Sequence, residues 1–238
     1  MITISVVSHG QLNLVKNLFA DLETIYQEDF EVLLTLNIPE CTQDVGVHRF
    51  PITIVKNKNP LGFGENHNNA FTQSTSEFFA VVNPDIRCQQ LNLVGLKEVF
   101  SSNSSVGICA PLVINSMGDI EDSARVFPTF WSLFLRFFFR KRNPPYKFGI
   151  SAIQVDWVAG MFMLFKRDSF RVVSGFDQDR YYMYYEDVDI CHRLKKIGLT
   201  TYVNPATFVV HDAQRASHRS FKHLRWHVTS MIRYFLVV

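Results

Sequence analysis

Residues Phe78–Asp85 read FFAVVNPD, an apolar run followed without a break by Asn-Pro-Asp. The run is short, lacks a polar face and is bounded by turn residues, so it predicts a strand buried on both sides. Pro84 fixes the turn that follows, and a strand ending in this way aims Asp85 at the edge of its sheet. Alone, the tripeptide stays open between a plain turn, which Asn, Pro and Asp favour anyway, and a carboxylate held where a ligand can reach it.

Working outward, the same kind of strand recurs upstream. MITISVVSH, FEVLLTLNI and ITIVKN are apolar and β-branched. LNLVKNLFADLETIY sets Leu14, Leu18, Leu22 and Ile25 at helical spacing, and GENHNNAFTQSTS reads as a polar helix leading into FFAVV. Short apolar strands alternating with helices predict an α/β chain with a doubly wound, largely parallel sheet, in which ligands sit beyond the carboxyl ends of the strands. The loops to watch are therefore Ser8-His9-Gly10, Asn37, Asn57 to Gly64, and Asn83-Pro84-Asp85. Downstream, GICAPLVIN, IQVDWVAGMFMLFKRDSF and TTYVNPATFVVH read as strands without regular helices between them. With no repeat and no flexible linker, residues 1–238 are expected to form a single domain, the second half completing the sheet and walling a pocket.

At 238 residues, 47% hydrophobic and 19% charged, the chain can bury a sizeable core. A net charge of +2 without a long Lys/Arg run argues against a nucleic-acid partner. Cys41, Cys88, Cys109 and Cys191 form no CxxC pair, and the N-terminus has no signal-peptide order, which predicts reduced thiols and a cytoplasmic location. No apolar run approaches the ~20 residues that cross a bilayer. A dinucleotide fingerprint wants GxGxxG after the first strand; SHGQLN has one glycine there, and GFGENH at 62–67 comes after the third strand without a third glycine.

The sequence NPD after the fourth strand, NKNPLGFGENHNNAF before it, WVAGMFMLFKRDSFRVVSGFD after it, then YYMYYEDVDICHRLKKIGL and VVHD, keep an order and spacing that resemble the family 2 glycosyltransferases of the GT-A fold. The similarity is strongest to rhamnosyltransferase-like members that build bacterial surface polysaccharides, and it runs from Ile2 to about His218. It implies a Rossmann-like mixed sheet, and inverting transfer of a sugar from a nucleoside diphosphate donor to an acceptor hydroxyl, assisted by Mn²⁺ or Mg²⁺. The donor would be dTDP-rhamnose or a UDP-hexose, and the acceptor a saccharide or lipid-linked saccharide.

The resemblance also divides the chain into a nucleotide-sugar half (1–100), an acceptor half (101–220) and a C-terminal helix (221–238). Carried over by residue, it assigns donor binding to Val7, Ser8, Asn37, Asn59, Phe63, Asn66, Asn83, Asp85 and Gly160, and metal to Asp85 and His211. Asn83 stands where the family's first metal acid falls, and LNIPECTQD replaces the acidic run many members carry after strand two. These departures keep a second reading open, a relative that binds nucleotide or carbohydrate without chemistry.

An inverting displacement needs a base for the acceptor proton, and a carboxylate in a partly apolar pocket can have its pKa raised for that task. In YYMYYEDVDICHRL, residues 181–194, the family's acid pair matches Glu186 and Asp187. Asp187 is expected to be the base and Glu186 to bind or orient the acceptor. Tyr181, Tyr182, Tyr184 and Tyr185 would form an aromatic wall, Tyr184 and Tyr185 would touch acceptor, and Trp157 would touch acceptor or, the better reading for an apolar strand, pack in the core. Asp189 reads as scaffold, an i,i+4 partner of Arg193 on a helix whose Ile190, Cys191, Leu194 and Ile197 form the buried stripe. Arg125 could meet the diphosphate or pair with Glu121 or Asp122. FWSLFLRFFFRKRN, residues 130–143, mixes aromatic and basic groups suited to a membrane interface at the inner face of the cell membrane, or else to a buried connecting helix with a basic end. The tail FKHLRWHVTSMIRYFLVV has the same mixture and could instead be a homodimer contact.

Overall fold

The computed structural model describes residues 1–27, 29–129, 146–211 and 221–237. β1 (Ile2–Ser8), β2 (Phe30–Leu36), β3 (Ile52–Lys56) and β4 (Phe78–Val82) are the strands read from sequence, with α1 (Leu12–Ile25) and α2 (Phe63–Gln73) among them. All five residues of β4 are buried, as a strand covered on both faces requires. The four strands are parallel in the order β3-β2-β1-β4, and their register sets Ser8 beside Leu36, Leu36 beside Lys56 and Val6 beside Val82. Their carboxyl ends therefore form one edge, and the polar loops that follow emerge together.

Beyond β4 the sheet becomes mixed. It continues β4-β10-β6-β11-β5, with β5 (Ile86–Arg87), β6 (Val106–Ile114), β10 (Phe162–Lys166) and β11 (Thr200–His211). β10 runs antiparallel to both neighbours, pairing Phe162 with Val82, so the residues that enter it arrive at the same edge that β4 leaves. β11 is parallel to β6 and ends with His211 opposite Ile86 of β5.

Two expectations are corrected. The stretch from Ile153 to Lys166 is not one strand but β8 (Ile153–Val155), β9 (Trp157–Val158) and β10. β8 pairs with β11, whereas β9 leaves for a separate ribbon with β7 (Ala124–Arg125), so the chain must break at Asp156 and at Ala159–Met161 to change partners. The later strands do have helices between them: α4 (Arg167–Val172) begins inside the stretch read as strand, and α5 (Glu186–Lys196) is the helix that the Asp189–Arg193 spacing predicts. A further helix was not read from sequence: α3 (Leu93–Ser102) buries Leu93, Leu96 and Phe100 at i, i+3 and i+7 and is capped by Asn92, whose side chain accepts the Gly95 N–H at 3.0 Å.

Each sheet face carries its own core. Ile2, Ile4, Val6, Leu34 and Val82 pack under Val15, Leu18, Phe19 and Leu22 of α1; Phe79, Val81, Met163 and Phe165 pack on the opposite side with Phe170, Phe176, Ile190 and Leu194. Full burial of each such side chain contributes about 1.5–3 kcal/mol. One ion pair is built into the first layer: Asp21 of α1 is 2% exposed, takes Arg87 Nε and Nη2 at 2.7 and 2.8 Å and the Cys88 N–H at 3.0 Å. Burial alone would raise the Asp21 pKa, but these hydrogen bonds hold it below the usual value.

Candidate functional site

At the ends of β1–β3 the polar side chains are tied to one another and to backbone. Asn37 follows β2; its N–H donates to the Ser8 carbonyl at 2.8 Å, which fixes Val7-Ser8 against the start of the next loop. The Asn37 amide then donates to the Leu61 carbonyl (3.0 Å), and its oxygen accepts from the Leu61 N–H (2.8 Å) and from Asn57 (2.9 Å). Asn57 also donates to Asn66 at 2.6 Å, and Asn66 donates to the Gly62 carbonyl at 2.8 Å. Asn37 and Asn66 are 5% and 1% exposed. Their amides shape the 57–62 loop, and what they leave to face a ligand is the rim above it: half-buried Val7, exposed Asn59 and half-buried Phe63. Asn57 was not singled out among the site residues, although it lies in a loop marked for attention and is the link between the two that were.

The loop is clamped against the second half of the chain. The Phe63 N–H donates to the Tyr182 carbonyl at 3.0 Å, and a Cβ at Gly62 would stand 2.6 Å from that same oxygen, so only glycine fits there. A Cβ at Gly160 would lie 3.0 Å from the Phe63 ring. Gly160 is thus a point of close approach between the two halves. Asn83, after β4, donates its N–H to the Met161 carbonyl at 3.0 Å, so the NPD turn and Gly160 are neighbours at one edge.

Asp85 and His211 are brought together from 126 residues apart in the chain's numbering, with Nε2 of His211 3.3 Å from Oδ2 of Asp85. The other imidazole nitrogen, Nδ1, is 2.7 Å from Oε2 of Glu121. First the Asp85 contact and then Glu121 push the His211 pKa up to about 9 against the cost of burial, so an imidazolium bridges two carboxylates in this state. Among the described residues Oδ1 of Asp85 is buried without a partner. An orphaned carboxylate oxygen beside an imidazole is a pair of donors suited to a divalent cation that takes its other ligands from water and phosphate. Among the described residues no group of three or more His, Cys, Asp or Glu side chains with metal-holding geometry occurs. Glu121 was weighed only as a partner for Arg125; Arg125 instead pairs with Asp122 at 3.1 Å and lies over the Trp157 ring at 5.1 Å.

The acids sit at the start of α5 behind a strained backbone. Tyr184 and Tyr185 both have left-handed φ, 71° and 69°, a conformation that costs a bulky residue about 1–3 kcal/mol each. The turn they make delivers Asp187 to Gly160, whose N–H donates to Asp187 Oδ2 at 3.1 Å, while Oδ1 accepts the Val188 N–H at 2.8 Å. Burial raises the pKa of Asp187 more than these two N–H groups and the Arg125 charge lower it. Glu186 is 6% exposed, its Oε2 has no partner among the described residues, and burial followed by the Asp187 charge raises its pKa well above the usual carboxylate range. Asp189 differs from both: it is ion-paired to Arg193 at 2.6 Å, as its spacing predicts. The buried stripe of α5 ends at Leu194, since Ile197 is 52% exposed where the helix has already closed.

The tyrosine wall must be divided. Tyr181 and Tyr185 are 1% and 9% exposed and pack in the core, Tyr185 from within the left-handed turn; Tyr182 and Tyr184 remain at the surface of the cleft. Trp157 is 6% exposed with its indole N–H given to the Val126 carbonyl at 2.9 Å, which makes it a packing residue under Arg125. The wall is completed by residues the sequence reading did not select, from α6 (Phe221–Phe235). Tyr184 Oη lies 2.8 Å from His223 Nδ1, Trp226 packs on Tyr182 at 4.9 Å, and His227 lies between Tyr184 and Tyr185 at 5.3 and 5.5 Å. The signal was their i, i+3, i+4 spacing on a helix, which marks one face without saying what it meets. The 130–143 segment lies outside the described residues, and among those described no helix is long and apolar enough to cross a membrane. All four cysteines are free thiols.

No family model matches the chain. It is 30% identical over 253 residues to the rhamnosyltransferase WbbL of Escherichia coli (strain K12), with 98% of this chain and 92% of the relative covered. It is 28% identical over 241 residues to an N-acetylglucosaminyl-diphospho-decaprenol L-rhamnosyltransferase of Mycobacterium tuberculosis, covering 90% of this chain and 76% of the relative. In structure it is similar to GalNAc-T7, solved with UDP, GalNAc and Mn²⁺, at a TM-score of 0.69 and 11% identity, over 90% of this chain and 44% of that one. It is also similar to the mannosyltransferase PcManGT from Pyrobaculum calidifontis, in complex with GDP-Man and Mn²⁺, at a TM-score of 0.63 and 16% identity, over 98% and 64% of the two chains. The chain spans less than two thirds of either solved neighbour, and at these identities the likeness is one of fold.

Proposed function

Because the chain belongs to the rhamnosyltransferase-like family 2 glycosyltransferases and has the GT-A fold, we propose that it is an inverting enzyme in which Asp187 removes the acceptor's proton. The observation that carries it is the Asp187 carboxylate, oriented by the Gly160 and Val188 N–H groups and raised in proton affinity at the mouth of the edge formed by β4 and β10.

In this reading the nucleoside diphosphate lies along the rim of Val7, Asn59 and Phe63, above the Asn37–Asn57–Asn66 network, and the donor sugar approaches Gly160. The acceptor hydroxyl stands against Asp187. Its oxygen attacks the anomeric carbon from the face opposite the diphosphate, its proton passes to Asp187, and the electron pair of the breaking bond leaves on the diphosphate oxygen. Asp85 and His211 would hold a divalent cation, which supplies charge stabilisation for the leaving diphosphate. Glu121 accepts from His211 Nδ1 and so keeps Nε2 facing Asp85. Glu186, buried and protonated over a wider pH range than an ordinary carboxyl, lines the acceptor side next to Asp187.

The rhamnosyltransferase names of both curated relatives support dTDP-rhamnose as first donor to try, and the decaprenol-linked substrate in one of those names supports a lipid-linked saccharide acceptor in polysaccharide synthesis. Mn²⁺ in both solved neighbours supports the cation. The test is turnover of purified protein with Mn²⁺ and a panel of dTDP-rhamnose, UDP-hexoses and GDP-mannose against saccharide and diphospholipid-saccharide acceptors. The expected result is nucleoside diphosphate release with an inverted anomer in the product, and Asp187→Asn binding the nucleotide without transferring. Retention of configuration, or full turnover by Asp187→Asn, would refute the assignment.

A further inference from the structure

Helix α6 is apolar on two sides. Its inner side is docked: Tyr234 is fully buried against Tyr185, and the Ser230 hydroxyl donates to the Met183 carbonyl at 2.9 Å. Its outer side carries Phe221, Leu224, Val228, Ile232 and Leu236 at 91%, 60%, 40%, 52% and 79% exposure. Their spacing of three and then four residues lines them along one face for about 20 Å. An apolar row of that length is seldom left in water unless something covers it.

The charge pattern identifies the cover. Residues 221–238 contain no Asp or Glu and carry Lys222, Arg225 and Arg233, and Arg225 is exposed within the span of the apolar row. Two copies of this helix laid together would oppose basic groups with no acid from either to pair them. A bilayer with anionic headgroups offers both requirements at once, acyl boundary for the row and negative charge for Arg225 beside it. We propose that α6 is an interfacial helix that lies on an anionic lipid surface. Because its inner face meets Tyr182 and Tyr184 beside the acids, lipid docking holds the acceptor side of the cleft at the membrane, where a lipid-linked saccharide presents its sugar. The functional part of this inference rests on the acceptor proposed above; the lipid contact stands on the helix.

The experiment is co-sedimentation of the full chain with vesicles of phosphatidylglycerol and phosphatidylethanolamine, and with phosphatidylcholine vesicles, for the parent, Leu224→Ser/Ile232→Ser and Arg225→Gln. The parent should partition onto the anionic vesicles and hardly onto phosphatidylcholine. The double variant should lose at least about tenfold in partitioning, and Arg225→Gln should lose less, with its deficit shrinking as salt is raised. Turnover with a water-soluble acceptor should match the parent in both variants, which shows that they fold. Parent protein left in the supernatant, or a double variant that partitions as the parent does, overturns the proposal. A parent that light scattering finds dimeric and the double variant monomeric, without vesicle binding, also overturns it and makes the row a self-contact. Vesicle binding by a parent that binds no nucleoside diphosphate would instead refute the donor site and leave the lipid contact standing.

Discussion

Two regions of the cleft are organised in opposite ways. At the ends of β1–β3, Asn37, Asn57 and Asn66 satisfy one another and the backbone of the 57–62 loop, with neutral amides and ordinary backbone geometry. At the start of α5 and the end of β11, carboxylate oxygens of Glu186 and Asp85 are buried without partners among the described residues, Asp187 is raised in proton affinity, and two consecutive tyrosines hold left-handed φ. A network of satisfied amides builds a rigid shelf and leaves little chemistry to spare. Unpaired oxygens and strained backbone persist only where the surrounding fold enforces them, and they mark the region that has work to do on a ligand.

The comparison can be broken most sharply at Asp187. Asp187→Asn should lower turnover by about 10²–10⁴-fold, the usual contribution of a general base, with nucleoside diphosphate affinity changed less than about twofold in calorimetric titration. Away from both regions, Arg87→Ala strands a buried Asp21 charge and should cost about 3–5 kcal/mol in denaturant unfolding while leaving donor affinity of the folded protein intact. Because the folded Asp21 pKa is depressed, the pair's stabilisation is present above the unfolded pKa and is lost as pH falls through the folded one, so the variant's deficit should shrink in acid.

At the cation end, Glu121→Ala should weaken Mn²⁺ about 10–100-fold in a paramagnetic-resonance titration. In a His211→Ala background the same change should do nothing further, since Glu121 acts through that ring. On the amide shelf, Asn57→Ala should cost about 1–2 kcal/mol of donor binding with turnover at saturation preserved. The smallest effect is a pH trend: the folded Glu186 pKa lies above the unfolded one, so its stabilisation is present at low pH and is lost as pH rises through the folded value. Glu186→Gln should therefore raise the melting temperature by a few degrees more at about pH 9 than at about pH 5.

Much of the first region was legible. FFAVVNPD reads as a buried strand and a turn because a strand covered on both faces needs no alternation, and the parallel register then carries Ser8, Asn37, Asn57 and Asn83 to one edge. The Asp189–Arg193 pair followed from helical spacing alone. Less of the second was visible. The tyrosines looked equivalent because no residue type announces a left-handed turn that lacks glycine, and it is the turn that sends Tyr185 into the core and leaves Tyr184 beside His223. Glu121 was hidden because it reaches His211 only through the pairing that brings Val113 and Glu121 backbones together. Trp157 reads from sequence as an acceptor contact or, better, a core residue, and the ribbon of β7 and β9 buries it.

The sequence by itself determined the alternation of strands and helices, the edge at which the loops converge, and the residue types at that edge, because burial patterns and turn chemistry are local properties. Only the tertiary structure decided which of those polar groups are satisfied and which are left over. Partnership depends on groups far apart in the chain, Asp85 with His211 and Glu121, Gly160 with Asp187, Tyr184 with His223. A carboxylate's proton affinity follows from that company and from its burial, and neither is fixed until the sheet has closed.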